Sequence, residues 1–590
     1  MTVVVQSPII EVGHQPLAER WVNALISVRI DRGLGLVGRT LLRFTDEGYA
    51  LAATGLFKIG LEVGLSTHTN TVLMTGTVTG ISLEQDTQAQ PELIVTVDDA
   101  GFKLARGTQN RTFVDHTYTQ VIQQLAQKAG LRTKVDADSG AAHEYLLQTG
   151  SDLAYLNSIA ERMGYVWWVD DDVLSFRKAG TSTGSVTRLL PDHLTEFNVH
   201  ASGLRPTEVT VTGWDSASQQ RVSGHNTGGT SKIEKTRSDF ADAGSADSPA
   251  LGKAPLASPF MHPKDAGAAD QTASSLMEDW LAGSVVARGA CPIDPALKPA
   301  VTLEVKNAGP ASGKYLITRV EHHYSQHGFY TRFTAGGNRP ASLVDNLGPA
   351  QASAGFDFPG LAIGVVTDNN DPTKEGRVKI KFVGLAPANG QDIGSAWARL
   401  VSLGAGNQRG MVFLPEVNDE VLVGFEHGDT RHPVVLGGLY SKNNALPTWD
   451  VASGKVTTRR ITSRDGHLIE FSDGEDAKSK HVLLQLANGD KLRLGNDRFD
   501  IQVASGIPIS IKAGNAKFEI SDAGDVTIEA NNITLKAKAK LDLQGSSEAT
   551  VKSSGKTAVQ GSQLNLKGDM MAELEGGGQL ALKGGMVAIN

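Results

Sequence analysis

Two glycine-rich motifs match patterns that hold a dinucleotide or activate a serine. Residues 33–38 satisfy GxGxxG, but residues 39–44 alternate as in a strand, whereas a dinucleotide site needs a helix N-terminus there to bind the pyrophosphate. A hairpin turn is therefore predicted. Residues 180–184 satisfy GxSxG around Ser182, but no apolar strand leads into them and no helical pattern follows, so a nucleophile elbow is not expected.

Acidic residues and histidines offer metal binding or acid–base chemistry. Residues 368–372 resemble the start of a calcium-binding loop, but Thr373 and Lys379 occupy the positions of the required Gly and the bidentate Glu. A turn capped by Asx side chains is therefore predicted. The other candidates are His322, His323, His427, His432, Glu416, Asp419 and Glu420. The histidines lack nearby cysteines and the carboxylates lie in a turn-to-strand segment, so structural or ion-pair roles are predicted. No catalytic residue, cofactor or metal is expected.

Bulk properties narrow the classes of protein further. Cys291 is the only cysteine, which excludes an intrachain disulfide and a CxxC site and predicts a small buried apolar side chain. The net charge of -8 argues against a nucleic-acid partner, which would require a basic surface. The N-terminus lacks the pattern of a secretory signal and no long apolar run follows, so we expect synthesis in the cytoplasm without a signal peptide.

The elements that carry these residues are mainly strands. The chain has 590 residues, too many for one core, and its 65 glycines and 6% aromatic residues favour β-structure with some α. One helix is predicted with Val121, Ile122, Leu125 and Ala129 on a shared face, and a second between Ser151 and Gly164. Strands are predicted at 26–30, 71–78, 93–97, 165–169, 173–176, 301–305, 315–321, 362–366, 376–382, 395–401, 410–414, 420–425 and 433–437.

These elements predict five segments. They are a barrel with inserted helices (1–200), a second β-rich domain with a long loop at 216–254 (201–350), a small barrel of OB-fold size (359–447), a polar connector (448–500) and a repeat (501–590). A weak linker is expected at 348–355.

The repeat consists of apolar or small pairs at positions i and i+2 that recur every seven to nine residues. Two inward side chains per repeat cannot enclose a core, so the pairs need partners. A single chain could coil into a β-helix, but the absence of a longer superperiod favours three chains wound together, each giving one strand per layer. The predicted axis residues of this trimeric intertwined β-helix are Ile509, Ile511, Phe518, Ile520, Val526, Ile528, Ile533, Leu535, Leu541, Leu543, Val551, Leu564, Leu566, Leu580 and Leu582.

Four segments, at 376–380, 395–399, 410–426 and 428–437, resemble VgrG proteins and the related phage-tail hub and spike proteins of contractile injection systems. Residues 117–176 are similar to the hub of that family, and the repeat is similar to its needle. One departure is Val383-Gly-Leu-Ala after Phe382, where many type VI secretion VgrGs have a Trp-containing stretch. This departure favours a phage-like or extracellular particle.

The resemblance implies a non-enzymatic spike that forms a homotrimer at the tip of an inner tube, joins the tube to a baseplate and pierces the target envelope when the sheath contracts. The implied partners are an Hcp-like tube protein, baseplate proteins, a PAAR-like tip protein, effector cargo and, transiently, the target membrane, but no nucleic acid. The resemblance also allows that the assembled particle is released outside the cell. The predicted tip-binding residues are Met586, Val587, Ile589 and Asn590.

Two other functions are considered, a cell-wall hydrolase on a β-helical stalk and a glycan-binding fibre. The connector is too short for a lysozyme-like domain, and the chain ends at Asn590 inside the repeat, so no effector extension is expected. A glycan-binding stalk would display aromatic side chains, but no Trp or Tyr follows Phe518.

Overall fold

The computed structural model describes residues 7–86, 90–137, 140, 142–215, 219–228, 234–236, 251–258, 265–337, 360–385, 392–447 and 451–589. The chain splits into two compact units, Met1–Leu446 and Pro447–Asn590. The predicted linker, Asn590 and most of the predicted loop at 216–254 lie outside the described residues. No helix among the described residues combines the length and apolar character that a membrane crossing requires.

The first unit begins with a β-rich region that runs to residue 337. Its strands are β1 Ile9–Val12, β2 Gln15–Pro16, β3 Leu25–Gly33, β4 Arg39–Thr45, β5 Glu62–Ser66, β6 Val72–Glu84, β7 Glu92–Asp98, β8 Gln109–His116, β9 Arg132–Val135, β10 His143–Gly150, β11 Tyr165–Asp170, β12 Val173–Lys178, β13 Gly184–Leu189, β14 Glu196–Ala201, β15 Glu208–Asp215, β16 Gln220–Asn226, β17 Glu234–Thr236, β18 Pro255–Ser258, β19 Val285–Pro292, β20 Val301–Lys306, β21 Gly313–Ser325 and β22 Gly328–Ala335.

Within the part of the chain that the structure describes, six α-helices accompany these strands. They are α1 Glu19–Asn23, α2 Ala50–Thr54, α3 Phe102–Ala105, α4 Tyr118–Lys128, α5 Asp152–Met163 and α6 Ala266–Ser284. Single 3₁₀ turns are found at Glu47–Tyr49, Gly309–Ala311 and Glu426–Gly428.

The largest sheet joins the two ends of this region. Eleven of its 14 described strands follow the order β14-β19-β22-β21-β3-β4-β7-β6-β5-β1-β2, while β17 and β20 branch from β21 and β13 pairs with β20. Strand β3 pairs antiparallel with β21. The predicted boundary at residue 200 stays a prediction, but strands from both sides of it share this sheet. Residues 33–38 join β3 to its antiparallel neighbour β4, so the predicted hairpin turn is confirmed.

Both predicted helices are confirmed. Helix α4 begins with a capping box between Thr117 and Gln120, and α5 begins after Ser151, whose hydroxyl accepts a bond from the Ala154 N–H. Helix α5 ends at Gly164 in the left-handed conformation, where glycine carries no steric cost. The apolar faces of the two helices share one core with β11 and β12.

The OB region completes the first unit. Its strands are β23 Ala362–Asp368, β24 Lys379–Phe382, β25 Arg399–Leu400, β26 Glu420–Phe425 and β27 Pro433–Gly438, in the order β24-β23-β26-β27-β25. Its core includes β-branched and aromatic side chains of these strands, namely Val366, Ile380, Phe382, Val421, Val423 and Val435.

The predicted strand at 410–414 is wrong. The run of apolar residues at 411–414 predicted it, but no strand among the described residues pairs with it. Residues 403–411 instead form a turn closed by the bond from the Met411 N–H to the Leu403 carbonyl. The apolar side chains that follow are therefore exposed, with Val412 81% exposed.

The second unit begins with three antiparallel sheets, of two, five and three strands. Its strands are β28 Val451–Ala452, β29 Lys455–Val456, β30 Thr458–Thr462, β31 Leu468–Asp473, β32 Lys480–Gln485, β33 Lys491–Gly495, β34 Phe499–Gln502, β35 Ile509–Ala513, β36 Ala516–Ile520 and β37 Val526–Glu529. Strands β30 to β34 form a five-stranded meander within the segment predicted as a polar connector, and β35 to β37 form a three-stranded one.

From residue 530 onward the described chain contains no helix or strand. Short extended segments alternate with bends at 538–539, 546–547, 554–555, 562–563, 569–570 and 577–578. The first positions of successive bends are eight, eight, eight, seven and eight residues apart. The backbone therefore follows the period that the apolar pairs predict.

Candidate functional site

The first six predicted axis residues lie on one face of the β35–β37 sheet. Residues directly opposite each other on paired strands point to the same side. The opposed pairs are Ile509 with Ile520, Ile511 with Phe518, Phe518 with Ile528, and Ile520 with Val526. This sheet therefore carries a continuous apolar face.

These three strands pair within one chain, whereas the repeat predicted pairing between chains. Gly514 and Gly524 adopt positive φ angles of 58° and 91° in the two connections. A residue without Cβ turns there at no steric cost, so each strand folds back on the one before it. Whether the apolar face meets a threefold axis stays a prediction.

The remaining predicted axis residues are exposed in the single chain. Their exposed fractions lie between 53% and 81% for Ile533, Leu535, Leu541, Leu543, Val551, Leu564, Leu566, Leu580 and Leu582. Within the described residues 530–589, no backbone N–H donates to a backbone carbonyl. Met586, Val587 and Ile589 are also exposed, and Asn590 lies beyond the described residues. As a single chain, this segment buries neither its apolar pairs nor its backbone.

A buried ion pair joins the OB region to helices α4 and α5. Arg431 donates to both carboxylate oxygens of Asp429 at 2.6 to 3.1 Å and to the Tyr118 hydroxyl at 3.1 Å. Arg162 of α5 lies 3.7 Å from the same carboxylate. Burial alone raises the pKa of Asp429, but Arg431, with His432 and Arg162, outweighs burial and holds the pKa well below its usual range. We call these five residues the OB clamp.

A second contact supports the OB clamp. Tyr145 and Leu147 of β10 belong to the same core as Val366, Ile380 and other OB side chains. The Tyr145 hydroxyl also donates a hydrogen bond to the Gly394 carbonyl. The OB barrel therefore shares both apolar core and polar contacts with the helix-bearing region.

The acidic turn at 368–372 is confirmed as an Asx-capped turn. The Asp371 carboxylate accepts bonds from the Thr373 N–H at 3.1 Å and the Glu375 N–H at 2.9 Å, and it pairs with Arg377 at 2.8 Å. The Arg377 guanidinium first, and then these backbone donors, lower the pKa of Asp371. The carboxylate is thus engaged by its own turn.

The other candidate side chains hold the fold together. Ser182 donates to the Gly184 carbonyl at 2.7 Å, and strand β13 follows it where a nucleophile elbow would need a helix. His322 lies 2.9 Å from the Thr331 hydroxyl, and burial lowers its pKa to about 3. Cys291 is buried as predicted, and burial raises its pKa to about 12.

The remaining histidines and carboxylates are dispersed. His323 stacks on Tyr330 with ring centroids 5.0 Å apart, and His432 lies 3.7 Å from Asp429. His427 has a positive φ of 53° in the 3₁₀ turn that follows β26. Asp419 accepts a 2.7 Å bond from the Glu416 N–H, and Glu420 opens β26. Within the described ranges, no group of three or more His, Cys, Asp or Glu side chains is placed to hold a metal.

Sequence reasoning identified the apolar repeat but missed the OB clamp. Asp429 and Arg431 stand in a motif that carries the family resemblance, but nothing local indicates that they meet Tyr118, which is 313 positions away. Of this contact, the sequence predicted only the helix that carries Val121, Ile122, Leu125 and Ala129 on one face.

Comparison with known families gives two matches. The type VI secretion system/phage-baseplate injector OB domain matches residues 362–440, and the Alg8 N-terminal domain matches residues 54–326. The first match covers all five OB strands.

Similar proteins include spike proteins. The type VI secretion system spike protein VgrG5 of Pseudomonas aeruginosa is 31% identical over 138 residues, which are 21% of this chain and 17% of that protein. The actin cross-linking toxin VgrG1 of Vibrio cholerae is 30% identical over 127 residues, 21% of this chain and 12% of that protein. These matches thus span less than a fifth of each relative's length.

Among solved structures, the E. coli c3393 protein, described as a component of the type VI secretion system, has a TM-score of 0.47 at 16% identity, with 70% of this chain and 96% of that chain covered. The injector OB domain and the VgrG relatives confirm the resemblance that the sequence predicted: this mainly β chain is similar to VgrG spike proteins over about a fifth of its length and carries the injector OB domain at 362–440.

Proposed function

We propose that the chain is a structural spike protein of a contractile, phage-tail-like injection system. In this proposal it works as a homotrimer at the tip of the inner tube, joins the tube to the baseplate and pierces the target envelope when the sheath contracts. It performs no chemical step. The relationship to VgrG spike proteins through the OB domain supports this proposal.

One observation carries the proposal. Residues 530–589 repeat an extended segment and a bend every seven or eight positions, with exposed apolar pairs and no backbone pairing inside the chain. Two further copies would supply both the apolar contacts and the backbone partners that this segment lacks. A closed, fully paired rod has no free strand edges and is stiff along its axis.

The partners follow from this role. The proposed ones are an Hcp-like tube protein, baseplate proteins, a PAAR-like tip protein at Met586, Val587, Ile589 and Asn590, effector cargo and, transiently, the target membrane. The particle type, phage-like, extracellular or type VI, stays a prediction. The same holds for synthesis in the cytoplasm and release of the particle outside the cell.

Light scattering of the full chain tests the trimer. The unmodified chain is expected to have three times the mass of one copy at micromolar concentration. Leu541→Asp would bring three carboxylates into a dry interior and is expected to prevent closure of the needle. Lys538→Asp, three positions earlier at a bend, is the control and is expected to leave the trimer intact. A monomer in the unmodified chain contradicts the proposal.

A truncation tests the placement of the tip. Deletion of the residues after Gly578 removes the last two apolar pairs, Leu580/Leu582 and Val587/Ile589. It is expected to leave the mass of the assembly at three copies while abolishing co-purification with the tip protein. Normal tip recruitment by the truncated chain contradicts this placement. Electron microscopy that finds the chain away from the end of a tube contradicts the proposed function as a whole.

A further inference from the structure

Positive charge is concentrated in one stretch of the repeat. Residues 536–556 contain five exposed lysines, namely Lys536, Lys538, Lys540, Lys552 and Lys556. The same stretch contains two carboxylates, Asp542 and Glu548, so it carries a net charge of +3. The chain as a whole has a net charge of -8. We call residues 536–556 the basic band.

Acidic stretches flank the basic band on both sides. Residues 519–529 contain four carboxylates and residues 569–575 contain three, and neither stretch contains Lys or Arg. Within the band, Lys540 lies 2.5 Å from Asp542, but lysines still outnumber carboxylates by three. A surface that only has to stay solvated intersperses charges of both signs. The separation of charge along the chain therefore indicates a surface for an anionic partner.

The lysines occupy positions that would face outward in the proposed needle. Each of Lys536, Lys540 and Lys552 is the direct neighbour of a predicted axis residue. Neighbouring side chains of an extended segment point to opposite sides, so a lysine beside an axis residue would face solvent. Lys538 lies in the bend at 538–539. Burial of the apolar pairs between copies would therefore leave these charges accessible.

Three copies would display the basic band all round the rod. Each repeat would add one layer, and neighbouring strands lie about 5 Å apart, so the band would occupy about 15 Å of the axis. This length is comparable with the Debye length of about 8–10 Å near physiological salt. The lysines of the three copies would therefore act together on a partner that surrounds the rod.

We infer that the basic band binds the anionic phospholipid head groups of a membrane that the needle has entered. The inference rests on the proposed function and names the lipid chemistry that this function would meet. A rod that crosses a membrane is surrounded by head groups on every side, as the band displays charge on every side. Clusters of about four to eight Lys or Arg bind anionic membranes in this way.

The dimensions of the band favour a head-group layer over a nucleic acid. The polar layer on one side of a bilayer is about 5–8 Å thick, so it fits within the band without overlapping the acidic stretches. A nucleic acid along the rod would lie against residues 519–529 or 569–575, whose carboxylates would repel it. Across the rod it would contact only one side of the band.

Binding of the full chain to vesicles tests this inference. The band variant replaces three lysines of the basic band, namely Lys536→Gln, Lys552→Gln and Lys556→Gln. The control variant replaces three exposed lysines outside the band that each follow a predicted axis residue, namely Lys512→Gln, Lys567→Gln and Lys583→Gln. Both variants lose three positive charges and keep every apolar pair. An arginine variant, with Lys536→Arg, Lys552→Arg and Lys556→Arg, keeps the charge of the band.

Each protein is sedimented with vesicles of phosphatidylcholine alone and with vesicles that also contain phosphatidylglycerol, while light scattering gives its mass. We expect trimers that bind the anionic vesicles more tightly than the neutral ones, and added salt should weaken this binding. The band variant is expected to bind them at least about tenfold more weakly, since each lysine near an anionic surface contributes about fivefold in affinity. The control and arginine variants are expected to bind as the unmodified chain does.

Several outcomes overturn the inference and leave the proposed function intact. One is a trimeric mass with equal binding to both kinds of vesicle. Equal losses in the band and control variants, or a loss in the arginine variant as large as in the band variant, have the same effect. If a short DNA duplex binds the unmodified chain as tightly as the anionic vesicles do, the band is a site for polyanions in general, and the inference is again overturned. A monomeric mass of the unmodified chain contradicts the proposed function, and the inference then fails with it.

Discussion

Arg431 Nη1 donates a 3.1 Å hydrogen bond to the Tyr118 hydroxyl, and this bond joins the OB barrel to the first residue of α4. The same guanidinium donates hydrogen bonds to the Asp429 carboxylate, which also lies near Arg162 of α5. The charged residues Asp429 and Arg431 therefore fix the OB domain to the two helices.

Removal of one charged partner from the OB clamp should destabilise the protein strongly. Asp429→Asn removes the negative charge from between Arg431 and Arg162 and leaves two buried cations, so we expect a loss of about 3–5 kcal/mol in the free energy of unfolding. Arg399→Met, which breaks the exposed pair of Arg399 with Glu426, is the control and should cost less than about 1 kcal/mol. Urea unfolding followed by circular dichroism measures both. Equal effects would show that the OB clamp carries no special stability.

Two substitutions of Tyr145 should distinguish the contribution of its packing from that of its hydrogen bond. Tyr145→Phe keeps the ring in the OB core but leaves the Gly394 carbonyl without its donor, which is expected to cost about 1–3 kcal/mol. Tyr145→Ala also opens a cavity and is expected to cost about 3–5 kcal/mol. Hydrogen exchange at Ile380 and Val421 measures the effect inside the OB core. Unchanged exchange in the alanine variant would mean that the OB barrel is stable without β10.

His322 should make the protein acid-sensitive. Burial holds its pKa at about 3, below the value near 6.5 of an unfolded histidine, so the unfolded chain binds the extra proton between these values. Stability from this residue is therefore present above pH 6.5 and lost as the pH falls toward 3, by about 1.4 kcal/mol per pH unit.

His322→Gln should flatten this part of the pH dependence while keeping a polar group beside Thr331. His68→Gln, at an exposed position, is the control and should leave the slope unchanged. Midpoints of thermal unfolding measured between pH 4 and pH 8 give the slope of stability against pH for each variant. A slope that persists in His322→Gln would assign the acid sensitivity to other groups.

Asp371 should stabilise its turn through its charge. Asp371→Asn keeps an acceptor for the Thr373 and Glu375 N–H groups but weakens the bond to Arg377, with an expected cost of about 1–2 kcal/mol at neutral pH. The lowered pKa of Asp371 means that this stabilisation is present above pH 4 and is lost as the pH falls further. The difference between the native chain and the variant should therefore shrink below pH 4 in urea unfolding. A difference that is constant with pH would exclude an ionic contribution.

Local patterns in the sequence were enough to predict several elements. The apolar faces of α4 and α5 and the ends of α5 at Ser151 and Gly164 involve residues within a few turns of each other, and the OB strands alternate between core and surface. The period of the repeat was also visible, because apolar pairs recur whether or not their partners are present. These features depend on neighbours close in the chain.

Only the tertiary structure decided how distant segments pair. Residues 411–414 form an apolar run typical of a strand, but no strand among the described residues pairs with them. The supposed connector forms a sheet because β30 to β34 pair in sequence. Strands β35 to β37 likewise pair within the chain. Register and partner choice depend on which backbone edges meet in space, and alternation along one strand does not specify them.

The sequence by itself therefore determined which residues are apolar and at what period, and through them the OB domain, the helices and the need of residues 530–589 for partners. The tertiary structure decided that Arg431 reaches Tyr118 and that β30 to β34 pair as one sheet. The physical reason is that burial and hydrogen-bond partners are properties of positions in space, whereas periodicity is a property of the chain.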